Sequence, residues 1–234
     1  AEHEPTEEEQ YEAYGRVVQA MDGRPVTIRT LDLGADKVDP DRAADAEKNP
    51  FLGLRSIRLS LRSLPRFRTQ LRAILRASAL GPVQVMFPLV STLGELRRAK
   101  MLLNDAMEDL DEQGVRFDRK ISVGMMVEVP AAVIMLDHFL PEVDFLSIGT
   151  NDLIQYCLAV DRADERVSGL YMPLHPAILR VVMMVRRAAA RRRIPVSLCG
   201  EMASDPAILA LLVGLGLTEF SMTPGAIGVA KQVL

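Results

Sequence analysis

Six short apolar runs, separated by helical patterns, constrain this chain more than anything else in it. They are VTIRTLDL (26–33), VQVMFPLV (83–90), ISVGMMVEV (121–129), VDFLSIG (143–149), PVSLCG (195–200) and EFSM (219–222). Val, Ile, Leu and Phe fill them without clean alternation, as in parallel strands covered on both faces. Between them, TLGELRRAKMLLNDAMEDLDEQG, HPAILRVVMMVRRAAARRR and SDPAILALLVGLG read as helices, the last with Ser204 as N-cap and Pro206 near its first turn. Strands alternating with helices build right-handed βαβ units around a parallel sheet. That leaves a doubly wound sheet or a barrel, and a count of six fits the open sheet better. No linker interrupts the pattern, so residues 1–234 read as one domain.

A formal net charge of −3 gives no global attraction for nucleic acid. No run reaches the ~18 apolar residues of a membrane span. Cys157 and Cys199 both lie in apolar surroundings and suggest no disulfide, so a reducing cytoplasm is the expected setting.

In parallel α/β architectures, active sites form beyond the carboxyl ends of the strands. At the end of one run stand Thr150, Asn151 and Asp152, and at the end of the run before it stands Glu128. One reading makes the polar trio a helix cap and pairs Glu128 with an arginine. The other places both carboxylates on neighbouring strand ends, ~4.8 Å apart, where they need a cation between them. Magnesium suits that position, taking one or two carboxylates and filling the rest of its shell with water and phosphate oxygens. Spacing leaves both readings open. Arginines tilt the balance: Arg29 falls within a strand pattern read as buried, and Arg55 and Arg76 sit in apolar settings where planar guanidinium forks suit phosphate and carboxylate oxygens. Together these residues describe a pocket for a small, multiply charged anion. Cys199 closes its strand within the same layer, ahead of Gly200 and Glu201, whereas Cys157 lies in an apolar helix as a packing residue. RRAAARRR reads as a solvated helix face. His3, His138 and His175 share no ligand spacing that would hold zinc.

The motifs IRTLDLGADK, NPFLGLRSIR, QLRAILRAS, GMMVEVPAA, DFLSIGTNDLIQY, AVDRAD and CGEMASDP occur in order across nearly the whole chain. They resemble the phosphoenolpyruvate-binding domain of the phosphoenolpyruvate–protein phosphotransferase family, enzyme I of the bacterial sugar phosphotransferase system. The resemblance implies an α/β fold of the (β/α)8 TIM-type barrel kind, lacking its first two βα units in this chain and shortened at the C-terminus. It implies that Glu128 and Asp152 bind Mg2+. Arg29, Arg55, Arg76, Asn151, Asp152 and Arg162 would hold phosphoenolpyruvate, and Cys199 would give a proton to the methylene carbon of the enolate. It also implies a homodimer, release of pyruvate, and partners that this chain does not contain: an N-terminal phosphohistidine domain and a histidine-containing phosphocarrier protein. Two departures stand out. Ala35 replaces a glycine usual in the first motif, and no glycine-rich Ser-His motif is present, so none of the three histidines inherits the acceptor role. With two strands missing, the runs at 26–33 and 219–222 would flank an open seam. A pyruvate phosphate dikinase or phosphoenolpyruvate synthase barrel, or a non-catalytic phosphoenolpyruvate-sensing module, is the alternative.

Overall fold

The computed structural model describes residues 4–33 and 49–234; His3 and Ala35 lie outside them. Each of the six apolar runs contains a strand. In chain order the elements are α1 (Glu7–Ala20), β1 (Val26–Arg29), α2 (Ser56–Arg62), α3 (Leu64–Ala77), β2 (Val83–Phe87), α4 (Leu93–Glu112), β3 (Ser122–Val127), α5 (Pro130–Ile134) and α6 (Leu136–Phe139). Then come β4 (Phe145–Gly149), α7 (Thr150–Leu158), α8 (Pro176–Arg192), β5 (Val196–Cys199), α9 (Glu201–Ser204), α10 (Pro206–Gly214), β6 (Glu219–Ser221) and α11 (Pro224–Val233).

All six strands belong to one sheet in the order β1-β2-β3-β4-β5-β6. A doubly wound sheet reverses direction at a switch point; this one never does. The one-way progression is that of a (β/α) barrel, and the six strands among the described residues are two fewer than an eight-stranded barrel holds. The open doubly wound sheet that a count of six favours is thereby overturned. Every residue of β4 is buried, whereas β1 and β6, the first and last strands in the order, are largely exposed. Pairing is parallel for β1 with β2, β4 with β5, and β5 with β6.

The chain divides into two compact units, Ala1–Leu89 with Leu93–Gly124, and Val90–Thr92 with Met125–Leu234. In the first, α1 opens with a capping box: Thr6 Oγ1 accepts from the Glu9 backbone N–H, and the Glu9 carboxylate accepts from that of Thr6. Three glutamates in its first turn complement the helix dipole, and two of them, Glu7 and Glu8, also meet α3. Arg72 Nε donates to Glu7 at 2.6 Å and Arg76 Nη1 donates to the same carboxylate at 2.9 Å. Burial alone would raise the Glu7 pKa, but the two guanidinium hydrogen bonds outweigh it and hold the carboxyl below its ordinary 4.5. Beneath this ion-pair layer Leu71, Ile74, Leu75 and Phe87 are fully buried, and Phe67 meets Phe87 edge-on with centroids 6.2 Å apart.

In the second unit Leu146, Ile148, Leu153, Ile154, Val182, Leu198 and Leu209 form the core. His175 Nδ1 accepts from the Ala177 N–H and so caps α8, with Pro176 in its first turn. The α10 cap is Asp205, which accepts from the Ala207 N–H at 2.9 Å, and not Ser204. Ser204 instead ends α9, because Asp205 is the residue with extended backbone directly before Pro206.

The α1–α3 contact should respond to pH. A carboxyl with a depressed folded pKa adds stability above its unfolded value and loses it as pH falls through the folded one. Glu7→Gln is expected to cost about 1 kcal/mol near pH 7. That difference should shrink as pH falls below the ordinary value of 4.5 and close only below the depressed folded value, where Glu7 in the folded protein too becomes neutral. Urea midpoints of both proteins across this range check it.

Candidate active site

Strands β4 and β5 run parallel with Gly149 opposite Cys199, so they end level. The turns beyond the two ends are therefore brought side by side. Thr150 Oγ1 donates to the Cys199 carbonyl at 2.8 Å, and the Glu201 N–H donates to Asn151 Oδ1 at 2.9 Å. Cys199 Sγ donates to the Ile148 carbonyl at 3.5 Å, across the same pair of strands. The capping reading of the polar trio fails here. The N-cap of α7 is Gly149, and the Thr150 hydroxyl and the Asn151 amide oxygen are turned to the β5–α9 turn.

Two glycines make this closeness possible. A Cβ on Gly200 would stand 2.5 Å from Thr150 Oγ1 and 2.7 Å from Asn151 Oδ1, and its φ of +100° with ψ −171° is a conformation only glycine adopts readily. A Cβ on Gly149 would stand 2.5 Å from Glu128 Oε2. The Glu128 carboxylate thus lies against the end of β4, immediately before the turn that carries Asp152. Both acids are buried, Glu128 at 3% and Asp152 at 5% exposure. Among the described residues no three His, Cys, Asp or Glu gather as a metal cluster. Two carboxylates are all-oxygen donors, a chemistry that suits a hard cation such as magnesium better than the nitrogen and sulfur set of a closed zinc site.

Arg162 lies in a loop after α7, its backbone N–H bound by the side chain of buried Gln155 at 3.1 Å. Its guanidinium reaches Glu201, Nη1 to Oε1, at 3.7 Å. Tyr171, half-buried, places its hydroxyl 3.4 Å from the Asn151 carbonyl, to which it donates. Burial first, and then the charge of Glu201, push the Tyr171 hydroxyl up to about 12, with a hydrogen bond from Arg162 working in the other direction. No sequence pattern singles out Tyr171 or Glu201. A loop has no periodicity to mark a tyrosine, and Glu201 reads only as a neighbour of Cys199.

In the first unit Arg29 and Arg55 converge on Asp32. Arg55 Nη2 lies 3.0 and 3.1 Å from the two carboxylate oxygens, and Arg29 Nη1 lies 3.2 Å from Oδ2. Asp32 organises this pair, and nothing in the sequence pattern marks it. Arg29 is not buried as its strand context implies; its side chain is 44% exposed at the end of an exposed strand. Arg55 is the enclosed one at 11%, with Phe51 against its guanidinium. Arg76 is not brought to this pair. It lies in the last turn of α3, ahead of the start of β2, whereas Arg29 ends β1 opposite Met86. Burial disfavours its charge, but Glu8 and Glu7 more than compensate and raise its pKa, and the Tyr11 ring lies 4.2 Å beneath it.

Known proteins share both the sequence and the fold. The family described as PEP-utilising enzyme, PEP-binding domain, matches residues 1–234. The phosphoenolpyruvate-protein phosphotransferase of Priestia megaterium is 52% identical over 228 residues, covering 97% of this chain and 40% of that protein. That of Geobacillus stearothermophilus is 53% identical over 98% of this chain and 40% of its own. That of Bacillus subtilis (strain 168) is 50% identical over 95% and 39%. The chain thus spans about two fifths of the length of these relatives. A citrate lyase from Burkholderia xenovorans LB400 has the same fold at 19% identity, with a TM-score of 0.54 over 71% of this chain and 53% of that one.

Gly200→Ala is expected to destabilise the protein by at least about 1–3 kcal/mol, from backbone strain alone. The clash with Thr150 Oγ1 and Asn151 Oδ1 adds to that. Chemical denaturation measures it, and a stability equal to that of the unsubstituted protein would count against the close packing of the two turns.

Proposed function

The chain belongs to the family of PEP-binding domains of PEP-utilising enzymes, and from that premise we propose that it is the phosphoenolpyruvate-binding part of a phosphoenolpyruvate–protein phosphotransferase. The names of its relatives favour this over a dikinase or synthase. The observation that carries the reading is the joined pair of strand ends, where Thr150 and Asn151 are tied to Cys199 and Glu201 beside two buried acids.

Glu128 and Asp152 would hold Mg2+. When bound, the ion supplies positive charge against the oxygens of the substrate. Arg162 would meet phosphate or carboxylate oxygens through charge-assisted hydrogen bonds, and Arg29 and Arg55 of the first unit carry the same donor chemistry. Asn151, with its amide oxygen already used by the Glu201 N–H, has its NH2 left to donate. The chemistry divides into two steps. Attack by a histidine nitrogen on a separate N-terminal domain breaks the P–O bond of the enol phosphate, and the electron pair stays on oxygen as the enolate. Carbon then takes a proton and pyruvate results. Cys199 fits the proton donor by its place at the end of β5, where its sulfur is oriented by the Ile148 carbonyl at 3.5 Å. The phosphohistidine passes the group to a histidine-containing carrier protein. The same reading makes the protein a cytoplasmic homodimer. No helix among the described residues is long and apolar enough to cross a membrane.

Asp152→Asn tests the metal assignment without changing shape. Calorimetry should show Mg2+-dependent phosphoenolpyruvate affinity weakened at least about tenfold, or 1.4 kcal/mol; undiminished affinity would overturn it. Cys199→Ala in the complete phosphotransferase should bind substrate normally but form pyruvate about a hundredfold more slowly. Turnover at the ordinary rate would return Cys199 to a packing role.

A further inference from the structure

Just past β1 the backbone stops pairing with the sheet. The Thr30 N–H still donates to the Met86 carbonyl at 3.0 Å, but the next N–H, that of Leu31, goes to a side chain. Gln70 Oε1 accepts it at 2.9 Å. Gln70 lies on the buried face of α3 and is 2% exposed, an uncommon place for a glutamine. What it holds is the segment that carries Asp32. Asp32 follows Leu31 directly, and one residue later the Leu33 carbonyl accepts from the N–H of Ser56, the neighbour of Arg55, at 3.0 Å. The carboxylate on which Arg29 and Arg55 converge therefore hangs between two backbone anchors, and Gln70 is one of them.

An amide can offer a neighbour either its oxygen or its NH2, so something must fix which end Leu31 meets. The Pro5 carbonyl can only accept, and Gln10 turns Nε2 to it at 3.0 Å, leaving Oε1 toward Tyr14. The Tyr14 hydroxyl donates to that oxygen at 3.3 Å, and its own oxygen accepts from Gln70 Nε2 at 3.1 Å. Gln70 must then present Oε1 to Leu31. The chain of bonds runs one way, from a backbone N–H at the strand end to a backbone carbonyl before α1, and one arrangement satisfies every member. Turned over, the Gln70 amide would set its NH2 against the Leu31 N–H, and the anchor would be lost.

We infer that Gln70 is a positioning residue of the anion site: it holds the backbone at Leu31 so that Asp32 sets the Arg55 and Arg29 guanidiniums for phosphate or carboxylate oxygens. Tyr14 fixes the direction of its amide. The inference rests on the reading of these arginines as part of a phosphoenolpyruvate site. Gln70 touches no substrate atom. It acts through Asp32, so its effect appears in affinity and vanishes when the Asp32 carboxylate is gone.

The test is a double-mutant cycle in which calorimetry with phosphoenolpyruvate and Mg2+ is run on the protein, Gln70→Met, Asp32→Ala and the double variant. Gln70→Met keeps the length of the side chain and removes the amide, so affinity should fall about tenfold. In the Asp32→Ala background the same change should cost nothing further. Stoichiometry from each titration reports the folded fraction, which separates partial unfolding from weaker binding. Leu110→Ala, at a fully buried position of α4, is the control for lost stability. It should lower the melting temperature and leave affinity level. Tyr14→Phe keeps the ring and frees the Gln70 amide to turn over, so affinity should fall about threefold; it carries the test alone if Gln70→Met does not fold. Level affinity in Gln70→Met or in Tyr14→Phe overturns the inference. So does a cycle in which the two losses simply add, or an equal loss of affinity in Leu110→Ala. Absence of binding by the unsubstituted protein instead overturns the phosphoenolpyruvate reading, and the inference falls with it.

Discussion

Strand register governs the second unit. With Gly149 opposite Cys199, two parallel strands finish at one level, and the polar residues after them meet without any long side chain having to reach. Shifting that pairing by one residue would send every side chain of β5 to the opposite face. Leu198, now fully buried, would exchange places with its neighbours, so the apolar core enforces the register on which the polar turn depends. The sequence therefore positions its reactive layer with residues that never touch it.

Backbone proximity does the remaining work. Hydrogen bonds from Thr150 to the Cys199 carbonyl and from the Glu201 N–H to Asn151 bind the start of α7 to the start of α9. Both would be impossible with a side chain at Gly200, because its Cβ would occupy the space of the two oxygens. Hydrogen bonds of this kind are worth about 0.5–1.5 kcal/mol each. Their larger effect is directional, since an amide whose oxygen is engaged can only offer its NH2 onward.

How much of this is legible in the sequence depends on the kind of signal each residue leaves. Strand ends are visible because continuous apolar runs stop abruptly, and that places Glu128, Asp152 and Cys199 correctly in the carboxyl-end layer. Strand order is not visible: six runs fit an open sheet as well as part of a barrel, and only the unreversed order decides. Arg29 misleads because an apolar strand pattern implies burial, while β1 stands at the end of the strand order and is largely exposed. Arg76 misleads because apolar neighbours on a helix do not say which end of the sheet the side chain faces; Glu7 and Glu8 settle it by holding the guanidinium on α1. Asp32 and Tyr171 leave no pattern at all. Each lies outside regular structure, where neither a period of two nor of 3.6 can mark it.

The same cross-strand constraint bears on the proposed proton donor. Cys199 is tied twice to the preceding βα unit: its carbonyl accepts from Thr150, and its sulfur donates to Ile148. A thiol is a weak donor, so the second bond orients the group without holding its proton firmly. The first bond keeps the backbone at Cys199 from shifting when Gly200 takes its unusual conformation just beyond it. Donor orientation therefore follows from β4–β5 pairing and from the Thr150 hydroxyl rather than from Cys199 itself. A thiol that must face one side of a planar enolate depends on such placement, because proton transfer to carbon requires the donor within hydrogen-bond reach along a narrow approach. The other residues of the strand pair thus set the orientation of the proposed donor, although of the pair only Cys199 would take part in the chemistry.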